Sequence, residues 1–155
     1  MAGGPTAARS GCERVSSAGY SSRTLVEKLG IKPGTQVAVL GAPVTYSSLL
    51  GTLPSGAKLR SRLPASAAFI HRFVRRRKDL MGDFPRLARA LTDEGTLWIS
   101  WPKQASGVET DLNENVVREI GMSHGLVDVK VAAVDETWSG LKFVRRVENR
   151  GKRSV

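Results

Sequence analysis

The chain reads as a single α/β domain, built on one mostly parallel sheet that finishes in an antiparallel hairpin. Three observations predict it. Apolar runs such as Val37-Ala38-Val39-Leu40 and Leu97-Trp98-Ile99 are continuous, as strands covered on both faces require. Segments of helical periodicity separate these runs. The last two strand segments are joined by only six residues, too few for a crossover and enough for a hairpin.

The elements follow in order. Residues 1–19 hold Val15 as their one β-branched aliphatic and are expected to form a disordered tail, leaving 20–147 as the domain. From Ser22 to Leu29 the positions Thr24, Leu25, Val26 and Leu29 predict a short helix, with Gly30 as its C′ residue and Ile31 as the hydrophobic contact beyond it. Lys32-Pro33-Gly34 turns the chain into the first strand, Gln36–Leu40, which Gly41-Ala42-Pro43 closes. Thr45 to Leu50 reads as a short helix with Thr45 as N-cap, stopped by Gly51 and Pro54. Ala57–Leu59 is a short second strand and Ala67–Val74 a third, followed at once by Arg75, Arg76, Arg77 and Lys78. Leu80, Met81, Phe84, Leu87, Ala88 and Leu91 form the apolar stripe of a helix kinked at Pro85 and ended by Asp93-Glu94-Gly95. Thr96–Trp101 is the next strand, stopped by Pro102. Asp111 and Glu114 have capping-box spacing before the stripe Leu112, Val116, Val117 and Ile120, and Gly125 ends that helix. Strands at Leu126–Val134 and Leu141–Arg146 complete the domain, and 148–155 is a basic tail.

The net charge is +10. It makes nucleic acid a partner to weigh, yet residues 96–141 carry a net −4, so the excess lies in the tails and in the middle segment. No apolar run approaches the roughly 20 residues of a membrane span, and the first eight residues lack the pattern of a secretory signal. With Cys12 alone, no internal disulfide can form, and a cytoplasmic protein that does not engage membranes is expected. His71 and His124 form no ligand-spaced cluster with Cys12, so no metal is expected, and His71 reads as a strand side chain with a satisfied hydrogen bond. Ser47-Ser48 and Ser139-Gly140 lack a nucleophile-elbow context.

Leu40-Gly41-Ala42-Pro43, then Trp101-Pro102-Lys103 with Ser106-Gly107, then Val134-Asp135-Glu136-Thr137-Trp138-Ser139-Gly140-Leu141 occur together and in order. On these motifs, from about Gly19 to Arg146, the chain resembles the small actinobacterial proteins grouped as domain of unknown function 3052. The resemblance implies a Rossmann-like sheet, a shortened version of the class I methyltransferase fold. The sequence departs from that pattern at Arg75 to Asp79, which is unusually basic.

Right-handed crossovers bring the carboxyl ends of the parallel strands to one rim, where ligands bind in such sheets. The candidate binding residues there are Gly41, Pro43, Trp101, Lys103, Ser106, Asp135, Trp138 and Ser139. Trp101 and Lys103 can offer an aromatic platform and a cation to a small anionic ligand, with Ser106-Gly107 as a lid. Trp138, at an expected hairpin tip, marks a protein-partner surface or covers the end of the sheet, and Asp135 and Glu136 cap a turn more readily than they catalyse. The methyltransferase-like order raises S-adenosylmethionine or a nucleotide as a ligand. Against it stand a first loop with Gly41 as its sole glycine, stiffened by Pro43, and a second strand ending in Leu59-Arg60 without a carboxylate for ribose. The expectation is therefore a non-catalytic binding or regulatory module that uses the rim and holds no cofactor. One alternative is a degenerate methyltransferase-type enzyme binding S-adenosylmethionine or a nucleotide. The other is non-specific nucleic-acid binding through Arg75, Arg76, Arg77 and Lys78.

Overall fold

The computed structural model describes residues 24–146, so the two expected tails, Cys12 and the expected start of the first helix at Ser22 lie outside the described residues. The elements are α1 (Leu25–Leu29), β1 (Gln36–Leu40), α2 (Tyr46–Leu50), β2 (Lys58–Arg60), β3 (Ala67–Phe73), α3 (Arg77–Ala90), β4 (Leu91–Pro102), a 3-10 turn (Gln104–Ser106), α4 (Glu114–Ser123), β5 (Leu126–Ala133) and β6 (Trp138–Arg145). They build one six-stranded sheet of order β2-β1-β3-β4-β6-β5. The first four strands run parallel, and β6 lies antiparallel between β4 and β5. The predicted α/β class and its terminal hairpin are thus observed.

Side-chain alternation along the strands divides the core into two layers. Ile70, Leu97, Ile99, Leu141 and Phe143 face α3 and α4, meeting Leu80, Phe84, Leu87, Val117 and Ile120. Val37, Phe69, Phe73 and Trp98 face the other way, toward Leu25 and Leu29 of α1 and Tyr46 and Leu50 of α2. The Trp98 indole N–H donates to the Leu29 carbonyl at 2.9 Å, tying the central strand to the end of α1. Gly30 ends α1 in the left-handed region as expected, while the reciprocal cap between Thr24 and Glu27 at its start was not foreseen.

Several boundaries move, each for a local reason. Thr45 precedes α2 in a helical conformation and makes no side-chain cap, so it is not the expected N-cap. Strand β2 sits one residue later than read. Helix α3 takes in Arg77 and Lys78 and carries Pro85 inside it, on its exposed side. It ends at Ala90, before Asp93-Glu94-Gly95, because Arg145 of β6 reaches its last turn. There the guanidinium donates to the carbonyls of Ala88 and Leu91, groups a helix end leaves unpaired. The chain then runs as β4 from Leu91, with a register shift between the pairs Ala67–Leu91 and Phe69–Thr96. At α4 the cap is Asn113, whose side chain accepts from the Val116 amide at 2.9 Å. Asp111 instead accepts from the Arg77 amide at 2.7 Å, so the expected capping box is replaced by a link between α3 and the segment before α4. The final turn is tighter than expected, and Trp138, Ser139 and Gly140 belong to β6. No helix among the described residues is long and apolar enough to cross a membrane.

Candidate binding cleft at the strand ends

The carboxyl ends of β1, β2 and β3 and the first residue of β6 enclose an open cleft with two lobes. One lobe, about 580 Å³, is lined by Gly41, Pro43, Arg72, Phe73, Arg75, Arg76, Asp79, Thr137 and Trp138. The other, about 460 Å³, lies between the β1 loop and the end of β2, against Pro43, Val44, Tyr46, Ser47, Leu59, Arg60 and Ser61. Gly41 and Pro43 wall both lobes. Each volume falls within the roughly 300–1,000 Å³ of small-molecule and cofactor sites.

Gly41 shapes the partition between them. Its φ of 72° lies in the left-handed region, and a Cβ there would sit 2.7 Å from both the Phe73 carbonyl oxygen and Nη1 of Arg72. A side chain is therefore excluded by conformation and by space. Arg72 enters the first lobe from β3, paired with Asp83 of α3 at 2.6 Å. Its Nε is buried without a hydrogen-bond partner.

On the sheet side of the cleft, His71 is fully buried. Nδ1 lies 2.8 Å from the Tyr46 hydroxyl and Nε2 lies 2.7 Å from Ser100 Oγ, so both ring nitrogens are satisfied, in keeping with the structural reading of this residue. Phe73 stacks on the ring at 4.2 Å, and burial pushes the imidazole pKa down to about 3. Burial likewise raises the Tyr46 hydroxyl above its ordinary range. This neutral network holds α2, β3 and β4 in register beneath the cleft, with His71 and Ser100 fully buried behind Tyr46.

The rim residues divide into walls and supports. Trp138 is half-buried, lines the first lobe and meets Phe73 edge to face at 5.1 Å. Asp135 places it by accepting from the Thr137 and Trp138 amides at 2.8 and 2.7 Å. Lys103 extends its ammonium to the Asp135 carbonyl at 2.8 Å and so clamps the same turn, while Ser106 donates to the Lys103 carbonyl at 2.6 Å and closes the 3-10 turn. Trp101 is 5% exposed and packs in the core on the α3 and α4 side, which leaves no platform at the rim. Ser139 pairs in β6 with Trp101 of β4 and does not line the cleft. Of the basic run, Arg75 and Arg76 reach the first lobe, and Arg77 and Lys78 stand exposed on the first turn of α3. The sequence reading missed Arg72, Asp79 and Tyr46 as lining residues. The alternation of β3 carried a signal for Arg72, since a charge between His71 and Phe73 must leave by the opposite face.

No family model and no curated protein matches the chain. Solved structures do resemble it. The magnesium protoporphyrin IX methyltransferase of Synechocystis PCC 6803, with bound S-adenosylhomocysteine, is similar at TM-score 0.54 and 14% identity over 79% of this chain and 78% of that one. A Sulfolobus solfataricus protein described as a type 11 methyltransferase matches at TM-score 0.56 and 13% identity, over 84% and 95% of the two chains. A methyltransferase of Aquifex aeolicus, dependent on S-adenosylmethionine, matches at TM-score 0.52 and 15% identity, over 77% and 86%. At such identities the likeness establishes the fold, that of a shortened class I methyltransferase. It also corrects the expectation of a domain without a cofactor. The Synechocystis enzyme was solved with S-adenosylmethionine as well as with its product, and the non-catalytic reading finds no support among these similarities.

Proposed function

We propose that the chain binds S-adenosylmethionine in the two-lobed cleft and transfers its methyl group to an acceptor. The observation that carries this reading is the open cleft itself, divided at Gly41 on the carboxyl ends of the parallel strands in a methyltransferase-like fold. Pro43 and Trp138 stand as walls of the first lobe and leave the space between them open.

The residues present suit the cofactor in most of its parts. Arg72, which lines the first lobe and also pairs with Asp83, offers a cation to the methionyl carboxylate. The Trp138 ring supports a sulfonium by cation–π attraction, worth about 0.5–2 kcal/mol. The second lobe has Ser47 and Ser61 hydroxyls for ribose, which replace the carboxylate absent from the end of β2. That substitution supports weaker ribose binding, because neutral hydroxyls form weaker hydrogen bonds than a carboxylate. When bound, the cofactor supplies an electrophilic methyl on sulfur. Asp79 is the carboxylate of the first lobe and the group there able to accept a proton from an O–H or N–H acceptor.

Calorimetry with S-adenosylmethionine, S-adenosylhomocysteine and ATP tests the reading. The first two are expected to bind and ATP to be rejected, with about 2.7 kcal/mol of stabilisation at a 100-fold excess over Kd. Trp138→Ala is expected to weaken binding by roughly 2- to 30-fold, the range of the lost cation–π term. No heat and no thermal shift with either sulfur ligand at millimolar concentration would refute the proposal.

A further inference from the structure

We propose that the acceptor is a single-stranded nucleic acid, held along the basic ridge that begins at the mouth of the first lobe; this rests on the reading of the cleft given above. Between Arg72 and Ala90 the chain carries seven cationic side chains against two carboxylates. Their placement turns composition into a surface. Arg75 and Arg76 open onto the lobe, Arg77 and Lys78 follow on the first turn of α3, and Arg86 and Arg89 continue along its exposed side.

The neighbouring acids leave three of these cations, next to the lobe and on the first turn of α3, without an ion pair. Asp83 engages Arg72 and lies 3.5 Å from Arg86, and Glu109 lies 3.6 Å from Arg76 across an exposed gap. Arg75, Arg77 and Lys78 have no ion-pair partner among the described residues. The carboxylate of Asp111 is turned to the backbone amide of Arg77.

The backbone beneath these side chains is fixed. Thr110 donates to the Arg75 carbonyl at 2.6 Å, Asp111 accepts from the Arg77 amide, and the Val74 amide donates to the Ser100 carbonyl at 3.0 Å. A cationic row held in place at its root loses little backbone entropy when an anion binds. Guanidinium forks match phosphate oxygens.

A nucleic acid fits better than an acidic polypeptide because the ridge ends at a lobe of about 580 Å³ walled by Trp138. A base turned into that lobe meets an aromatic side chain and lies beside the proposed methyl donor, whereas a carboxylate side chain gains nothing from the ring. A base must leave its stack to enter, which favours a single strand over a duplex.

Fluorescence anisotropy with a labelled 12-nucleotide RNA, without cofactor, tests this independently of cofactor binding, which calorimetry reads on the same preparations. Four phosphate contacts predict a salt slope of about −2.8, a loss of roughly 50-fold in affinity between about 50 and 200 mM salt. Replacing Arg75, Arg76, Arg77 and Lys78 together by Gln should abolish most of that slope with circular dichroism unchanged, and replacing only Arg77 and Lys78, which lie outside the lobe, should remove about half of it and leave S-adenosylmethionine binding unchanged. Trp98 and Trp101 are buried, so fluorescence quenching by the RNA should belong to Trp138 and vanish in Trp138→Phe. A duplex should bind at least tenfold more weakly, and polyglutamate should not compete. Equal binding of duplex or polyglutamate, or RNA affinity unchanged in the fourfold variant, would overturn the proposal even where cofactor binding holds.

Discussion

Acidification is predicted to destabilise this fold through His71, and the size of the effect follows from its burial. The folded imidazole has a pKa of about 3, against an ordinary 6.5 in the unfolded chain. Between these values the unfolded chain binds a proton that the native state refuses, so stability rises with pH across the window and falls as pH is lowered through it. From pH 6.5 to 4.5 the loss is roughly 2 kcal/mol, approaching about 4 to 5 kcal/mol near pH 3. A chain of this size should lose about 4 to 8 °C in Tm over the first interval. The assay is urea unfolding of the native chain and of His71→Gln, each at several pH values between 6.5 and 4.5. Glutamine can accept from Tyr46 and donate to Ser100 without titrating. Subtracting the two curves removes the contribution of every other carboxylate and histidine. The variant is expected to be less stable near neutrality, because it loses the stacking of Phe73, yet flatter with pH. Parallel curves would show that protonation of His71 is not linked to folding and would refute the reasoning.

Two further substitutions test the packing. Gly121 on α4 faces the Phe143 ring so closely that a methyl there would overlap it, and Phe143 is fully buried. Gly121→Ala should therefore cost about 1–3 kcal/mol in urea unfolding despite its better helix propensity, and a stabilised variant would contradict the contact. Arg145→Met keeps much of the side-chain bulk but leaves the carbonyls of Ala88 and Leu91 without their donor. A loss of about 1–3 kcal/mol, with faster hydrogen exchange at the end of α3, is expected; unchanged stability would show that water replaces the guanidinium.

Much of the fold was legible because period and burial coincide. The continuous apolar strands β1 and β4, the alternation of β3 and the stripes of α3 and α4 specify elements and faces without long-range information. What escaped depends on partners distant in sequence. Arg145 stops α3 from 54 residues away, and Asp111 caps the amide of Arg77 instead of its own helix. The rim was read in the right order but with the wrong depth. The sequence predicts Trp101 at a strand end and Trp138 at a hairpin tip; Trp138 instead opens β6, and the parity of β4 against β6 sends one into the core and leaves the other beside the cleft. Local spacing also exposed the weak glycine loop. It could not show that a single glycine, pressed against Phe73 and Arg72, still leaves the cleft open.

The two borders of the sheet bear on how this protein meets other molecules. One border is β2, whose three residues offer too short a row of free peptide groups to template another strand. The other is β5, which changes register between Asp128 and Lys130 and so presents an interrupted row. Neither margin invites growth by strand addition. Both margins present side chains rather than a long run of free peptide groups, so the length of the sheet is set within the chain itself.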